Sequence, residues 1–322
     1  MIALDAPAHE QVRRHFMRSF GPPWHPHRIA DLEPRVRRWT ADLLDAASQR
    51  AQMDVIEDFA YPVPVWAICS LLGVPPDDDQ RFTQWLNPIL EAPSSAQMTK
   101  ALAHADNQMS NYFRELMTRR RHDPHDDMIT GVATDDSDGR APGEQLILEN
   151  IFVLFLGGHQ TTVHAVGSSV LMLLRHPDVL ARVRQDLTIV PAVFEEVLRL
   201  EPPAQLFDDR HALADIPVGD MVIPQGSPVT LVLAAANRDP KRFPHPDTFD
   251  IDRTDNEHLS FLGGPHYCFG APLARLEGRI MITEWARRVE NPRLVVDPPP
   301  YDANPRLRGP RHLLVDYDRI IA

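Results

Sequence analysis

The chain has 322 residues, 43% of them hydrophobic, with 45 acidic against 33 basic side chains and a formal net charge of -12. That balance argues against a nucleic-acid binder, because neutralising a phosphate backbone needs a basic face. Two cysteines cannot build a disulfide framework, so a reducing cytoplasm is the expected compartment.

The N-terminal run MIALDAPAHEQVRRHF lacks the charged-then-apolar layout of a signal peptide. Apolar positions at helical spacing predict helices over 8–19 and 33–51. Between them, His25 and His27 of WHPHR have no matching carboxylate or cysteine set and read as a surface turn. PVPVWAICSLLGVPP (62–76) reads as a short apolar helix between prolines, with Cys69 as core packing. Helices over 79–92 and 95–121 follow. The second ends in Arg119, Arg120 and Arg121, a basic last turn that suits the helix dipole and reads as a solvated end. Residues 123–143 are acidic and turn-rich and are expected to form a surface connection.

A long helix is predicted from Pro142 to Arg175, with proline in its first turn and a stop at His176-Pro177. Its middle, including IFVLFLG (151–157), is apolar all round, which predicts burial at the centre of the protein. No uninterrupted apolar run approaches the ~18 residues that cross a bilayer, so no membrane association is expected. Helices over 178–187 and 191–200 precede strands and turns over 203–235 and a proline-rich meander over 237–257. A helix over 269–289 and a tail alternating like a terminal hairpin complete the chain. The order predicts a mainly α protein with small β-sheets: one domain, helix-rich over about 1–200 and mixed over 201–322.

The chemistry concentrates in HLSFLGGPHYCFGAPLAR (258–275), where Cys268 stands between a glycine-rich turn and a helix start. A sulfur there faces free backbone N–H groups and the positive end of the helix dipole, both of which favour thiolate. Gly263, Gly264 and Gly270 remove side chains where a flat ligand needs the backbone close. No CxxC or other zinc spacing lies nearby, and no Asn or Asp stands out to orient a Cys–His nucleophile pair. A thiolate on a glycine loop suits a haem axial ligand.

Phe261, Gly264, His266, Cys268 and Gly270 resemble the haem loop of the cytochrome P450 family, with Leu262 in the place of the family's first glycine. Gly157, Gly158, His159, Gln160, Thr161 and Thr162 are similar to the family's oxygen-binding helix motif. Glu196 and Arg199 match its E-x-x-R pair, a structural lock beneath the haem. Arg210-His211-Ala212, followed by Asp215 and IPQG, resembles the segment whose arginine bonds a haem propionate. AANRDPKRFPHPDTFDIDR (235–253) resembles the family's meander, and DAPAHEQVRR its propionate-binding His9 and Arg13.

The resemblance implies an enzyme of the P450 fold, binding haem b (iron protoporphyrin IX) through Cys268 as axial iron ligand. His266, Arg210, His9 and Arg13 are then expected at the propionates, and Thr161 and Gln160 at the oxygen side. The implied reaction inserts one oxygen atom of O2 into a small organic substrate. Electrons would come from a ferredoxin and its reductase or from a flavoprotein, since no dinucleotide fingerprint is present. Two departures matter. The family's acid before the threonine is Gln160, which cannot lose and regain a proton near neutral pH. The resemblance also starts at the family's third major helix, so the fold is expected to be N-terminally truncated, with the strand over 227–234 presenting an open edge. These departures keep a peroxide-driven relative and a non-catalytic auxiliary or scaffold protein as alternatives.

Overall fold

The computed structural model describes residues 1–21, 23–90, 95–136, 139–301 and 304–322. Its helices and strands begin with α1 (Ala8–Phe20), α2 (Glu33–Ala47), β1 (Gln52–Asp54), α3 (Pro62–Leu72), α4 (Asp79–Leu90), α5 (Ser95–His122), α6 (Met128–Thr134) and α7 (Glu144–Arg175). Next come α8 (Pro177–Gln185), α9 (Val190–Leu200), β2 (Leu206–His211), β3 (Ile216–Val218), β4 (Met221–Ile223), β5 (Pro228–Val232) and α10 (Leu233–Ala236). The last are α11 (Ala271–Arg288), β6 (Val289–Glu290), β7 (Arg293–Leu294), β8 (Leu314–Asp316) and β9 (Arg319–Ile320). The mainly α architecture with small sheets is as expected from the sequence. The predicted end of the fourth helix, at 92, lies outside the described residues.

Packing divides the chain into two compact units. The first comprises Met1–Leu43, Tyr61–Gln160 and Pro272–Ile280, and the second Leu44–Ala60, Thr161–Ala271 and Met281–Ala322. In the first unit, Val12, Phe16 and Phe20 recur every fourth residue and give α1 one buried face. Phe82 of α4 centres an aromatic core: its ring stacks on Phe155 at 4.8 Å and meets Tyr112 edge-on at 5.2 Å and Trp85 at 5.1 Å. Cys69 is buried among apolar neighbours, and its thiol is pushed far up by desolvation, so it is an inert core residue as predicted.

The segment over 123–143 departs from the sequence reading, because it contains α6. Seven residues are too few to hold a helix in water by themselves. Here Met128, Ile129 and Val132 are buried, and the Asp127 carboxylate caps the helix by accepting from the Thr130 N–H at 2.7 Å. His15 Nε2 lies 2.9 Å from the Val132 carbonyl, and Gly131 lets Ser19 of α1 come close enough that a Cβ there would sit 2.0 Å from Ser19 Oγ. Nor is the basic end of α5 simply solvated. Arg120 is largely buried, donating to Asp127 at 2.6 Å and to the Gly73 carbonyl at 3.0 Å.

Helix α7 has 32 residues, about 48 Å at 1.5 Å per residue. It starts at Glu144 rather than Pro142, with the Gly143 carbonyl accepting from Ile147 N–H as the first helical bond. Every residue from Thr162 to Leu173 is buried. The expectation of burial all round fails one turn earlier, where Val153, Leu154, Leu156, Gly157, Gln160 and Thr161 are partly or fully exposed along one face. By length and composition Val55–Leu72 and Glu144–Arg175 are apolar enough to cross a membrane, with 67% and 44% of their most apolar windows buried in the protein.

In the second unit the tail is not a simple hairpin. β8 pairs antiparallel with both β1 and β7 in the order β1-β8-β7, with Met53 opposite Val315, while β6 pairs with β9. β3 and β4 form a tight hairpin, and β5 pairs with β2 alone among the described strands. Leu231 and Val232 of β5 are 44% and 46% exposed, the open edge anticipated for this strand.

Candidate functional site

The cysteine loop belongs to the second unit, and backbone bonds set its shape. Cys268 N–H donates to the Phe261 carbonyl at 2.8 Å, and Tyr267 N–H to the Gly264 carbonyl at 3.0 Å, around a single 3-10 turn over Gly264–His266. Phe261 is buried and pins the loop, its ring 6.4 Å from that of Tyr267. Gly270 then caps the 18-residue helix α11. Cys268 is half-buried, three residues before Ala271, whose N–H lies 3.4 Å from the Cys268 carbonyl. Cys268 thus stands two residues before the N-cap of a long helix, on the side of its positive end.

Leu262 has φ +57° and Gly264 φ +64°. Left-handed backbone costs a leucine roughly 1–2 kcal/mol. Leu262→Gly is therefore expected to stabilise the chain by about 1 kcal/mol, read as a rise in the denaturation midpoint; a fall would mean that Leu262 packing outweighs its strain.

Arg210 lies in the second unit on β2, its guanidinium 4.8 Å above the Phe207 ring, where the pairing with β5 is irregular between Phe207 and Arg210. His266 is half-buried in the loop itself. Thr161 begins the second unit's share of α7 and is half-exposed. The first unit holds Gly157, Gly158 and Gln160 of α7 and His9 and Arg13 of α1. His9 is only 2% exposed. Gly158 admits Ile68 so closely that a Cβ would fall 2.8 Å from its Cδ1, whereas a Cβ on Gly157 would meet open space.

Glu196 and Arg199 form the most elaborate polar cluster described. Both are fully buried on α9. Arg199 donates to the Glu196 carboxylate at 2.9 and 2.7 Å and to the carbonyls of Asn237, Pro246 and Thr248 at 2.9, 2.7 and 3.1 Å. Glu196 also accepts from Asp250 N–H at 3.0 Å and Asn256 Nδ2 at 3.2 Å, with Arg253 Nε at 3.4 Å. The pair thus ties the meander over 237–257, which has no helix or strand of its own, to α9 and so supports the start of the cysteine loop.

A residue the sequence reading passed over is Glu277 of α11. It is 1% exposed, its Oε1 is buried without a hydrogen-bond partner, and desolvation raises its carboxyl pKa well above the ordinary value. No sequence signal marks it, because LARLEGRI mixes charged and apolar residues and Glu277 reads there like any solvated helix acid.

The donor set can be tested against a flat metal-bearing group. A Cβ built on Gly263, Gly264 or Gly270 meets nothing within 4 Å, so open space borders the loop on which the reachable thiol stands. One sulfur, clear space over a glycine backbone and a helix N-terminus fit a porphyrin iron taken axially. The class so defined is that of the haem-thiolate proteins.

Comparison with known proteins agrees. The Cytochrome P450 family profile matches residues 1–291. The chain is 37% identical to cytochrome P450 107B1 of Saccharopolyspora erythraea over 92% of its own length and 72% of the relative's. It is 35% identical to the cytochrome P450 monooxygenase PikC of Streptomyces venezuelae over 99% of this chain and 76% of that one. The solved structure of cytochrome P450 CYP109Q5 from Chondromyces apiculatus is similar with a TM-score of 0.90 at 33% identity, covering 99% and 79% of the two chains. The chain belongs to the cytochrome P450 family: it is an oxygen-incorporating oxidoreductase of the haem monooxygenase class.

Proposed function

We propose that the chain is a soluble cytoplasmic monooxygenase, working as one catalytic domain, that inserts one atom of O2 into a small organic substrate with electrons from a separate ferredoxin and reductase or flavoprotein. Haem b, when bound, supplies the electron transfer and O–O cleavage chemistry, which a thiolate ligand favours. The carrying observation is Cys268, half-exposed on a loop bordered by open space and backed by α11.

Cys268 would hold the haem iron through its sulfur, on a loop shaped by Phe261, Gly264 and Gly270. Arg210, His266, His9 and Arg13 are assigned to the two propionates, on the motif resemblance and on the suitability of cationic donors for a carboxylate. Gly157, Gln160 and Thr161 fall on the open face of α7, where apolar side chains left uncovered suit an apolar substrate, while Gly158 lets Ile68 pack closely against the helix. Glu196 and Arg199 are structural.

The full chain supplied with hemin, then reduced and exposed to carbon monoxide, is expected to show the thiolate-type absorption band, which Cys268→Ala abolishes. A colourless protein, or a band unchanged in Cys268→Ala, overturns the assignment. Turnover with hydrogen peroxide and no reductase would move the reading to a peroxide-driven enzyme.

Gln160 can hold a water by hydrogen bonds but cannot cycle a proton. Proton delivery beside Thr161 is therefore slow, and reducing equivalents leak to hydrogen peroxide. Gln160→Glu is expected to lower peroxide released per electron severalfold in an assay with a surrogate ferredoxin system; an unchanged yield removes Gln160 from the proton path.

A further inference from the structure

Three metal-ligating side chains outside the haem loop converge in the second unit. Asp54 ends β1, Glu57 lies in the single wide turn of helix over Val55–Ala60, and His312 precedes β8, whose Leu314 pairs with Asp54. His312 Nδ1 is 2.7 Å from Asp54 Oδ2 and 3.5 Å from Glu57 Oε1, and one donor atom from each residue lies within 4.8 Å of the other two. We propose that Asp54, Glu57 and His312 bind a divalent first-row transition-metal ion such as Zn2+, joining the β1 turn to the C-terminal strand.

The ligand set is one imidazole and two carboxylates, a combination that zinc takes at about 2.0–2.2 Å, keeping a position for water. Tetrahedral ligands at that radius stand about 3.3 Å apart, so the present spacing needs only small side-chain shifts to admit an ion. Asp54 is already oriented. Its side chain is 11% exposed, and its Oδ1 accepts from the backbone N–H groups of Ile56 and Leu313, both at 3.0 Å, leaving Oδ2 for the shared position. Such fixed outer bonds preset a metal ligand. Glu57 and His312 are 67% and 41% exposed, which gives an ion a path in and room for water. The 2.7 Å contact between His312 Nδ1 and Asp54 Oδ2 is a hydrogen bond that a bound ion would replace.

The test uses the full haem-loaded chain, so that Cys268 is occupied, after chelator treatment and dialysis. Zinc chloride alone is titrated against a chromophoric chelator. One zinc ion per chain is expected, with affinity lowered tenfold or more in both His312→Ala and Glu57→Gln. The zinc absorption edge should show nitrogen and oxygen ligands without sulfur. Added zinc should raise the thermal midpoint of the wild type and not of the variants. No stoichiometric binding by the wild type, or equal binding by wild type and Glu57→Gln, overturns the proposal; the exposed Glu57 carries the test if His312→Ala fails to fold. Zinc held by other histidines would leave both variants unchanged and so counts against it. None of these outcomes depends on monooxygenase activity.

Discussion

Arg199→Leu is expected to destabilise the folded chain by about 3–5 kcal/mol, the range for removing one partner of a buried ion pair. Leucine fills part of the space but leaves Glu196 with a buried carboxylate facing only Asp250 N–H, Asn256 and Arg253. The carbonyls of Asn237, Pro246 and Thr248 lose their shared donor at the same time. Those three carbonyls belong to irregular backbone, which has no ladder bonds to fall back on. Arg199→Lys should recover part of the loss and no more, because an ammonium cannot span the planar fork that meets both Glu196 oxygens. The measurement is the denaturant midpoint at unchanged m-value; a cost below about 1 kcal/mol for Arg199→Leu would show that the meander holds itself together. Haem retention should fall with stability, since the meander leads into the cysteine loop.

Glu277 produces the second large effect, through pH. Burial without a partner disfavours the charge and holds the folded chain's carboxyl pKa well above the ordinary value of 4.5, near which the unfolded chain releases that proton. Above that pH folding takes up a proton, so raising the pH favours the unfolded chain. The cost is about 1.4 kcal/mol for each pH unit until the raised folded pKa is reached. Glu277→Met, similar in length and with no charge to lose, is expected to remove this slope. The difference in stability between variant and wild type should grow from pH 5 to pH 7 in favour of methionine. Taking the difference cancels the many surface carboxylates, such as Asp297 beside Arg175 and Glu290 beside Arg319, whose pKa values are lowered by their partners and whose contributions run the other way. A pH-independent difference would mean that Glu277 is ionised in the folded protein and has found a partner.

Helices bounded by local signals were legible in the chain. Proline at the start of α3, α8 and α9 and a left-handed glycine after α3 mark their ends within a few residues. α6 was not legible, because its seven residues hold only through docking on α1 and the Asp127 cap, which a local pattern does not reveal. The tail read as a hairpin because its alternation is that of strands. Its partner β1 is three residues long, lies some 260 positions earlier, and carries too short a pattern to stand out. Among site residues, those of the cysteine loop were visible as a dense motif. Of the long-range roles, Arg199 was visible only as half of an i,i+3 pair. Its acceptors on the meander, which account for its burial, are carbonyls that any sequence offers.

What the linear order of residues determined by itself was the family: one cysteine between glycines at a helix start, a glycine pair within a long apolar helix, and Gln160 beside two threonines. These are short-range arrangements, written in adjacent side chains and in backbone that only glycine adopts easily. Tertiary structure alone decided which polar groups lost water. It buried Arg199 with three carbonyls, stranded the Glu277 carboxyl without a partner, left one face of α7 uncovered, and brought His312 to Asp54 and Glu57. Burial depends on segments distant in the chain arriving at one place, and desolvation, rather than residue type, sets whether a charge there is held, neutralised or offered to a metal.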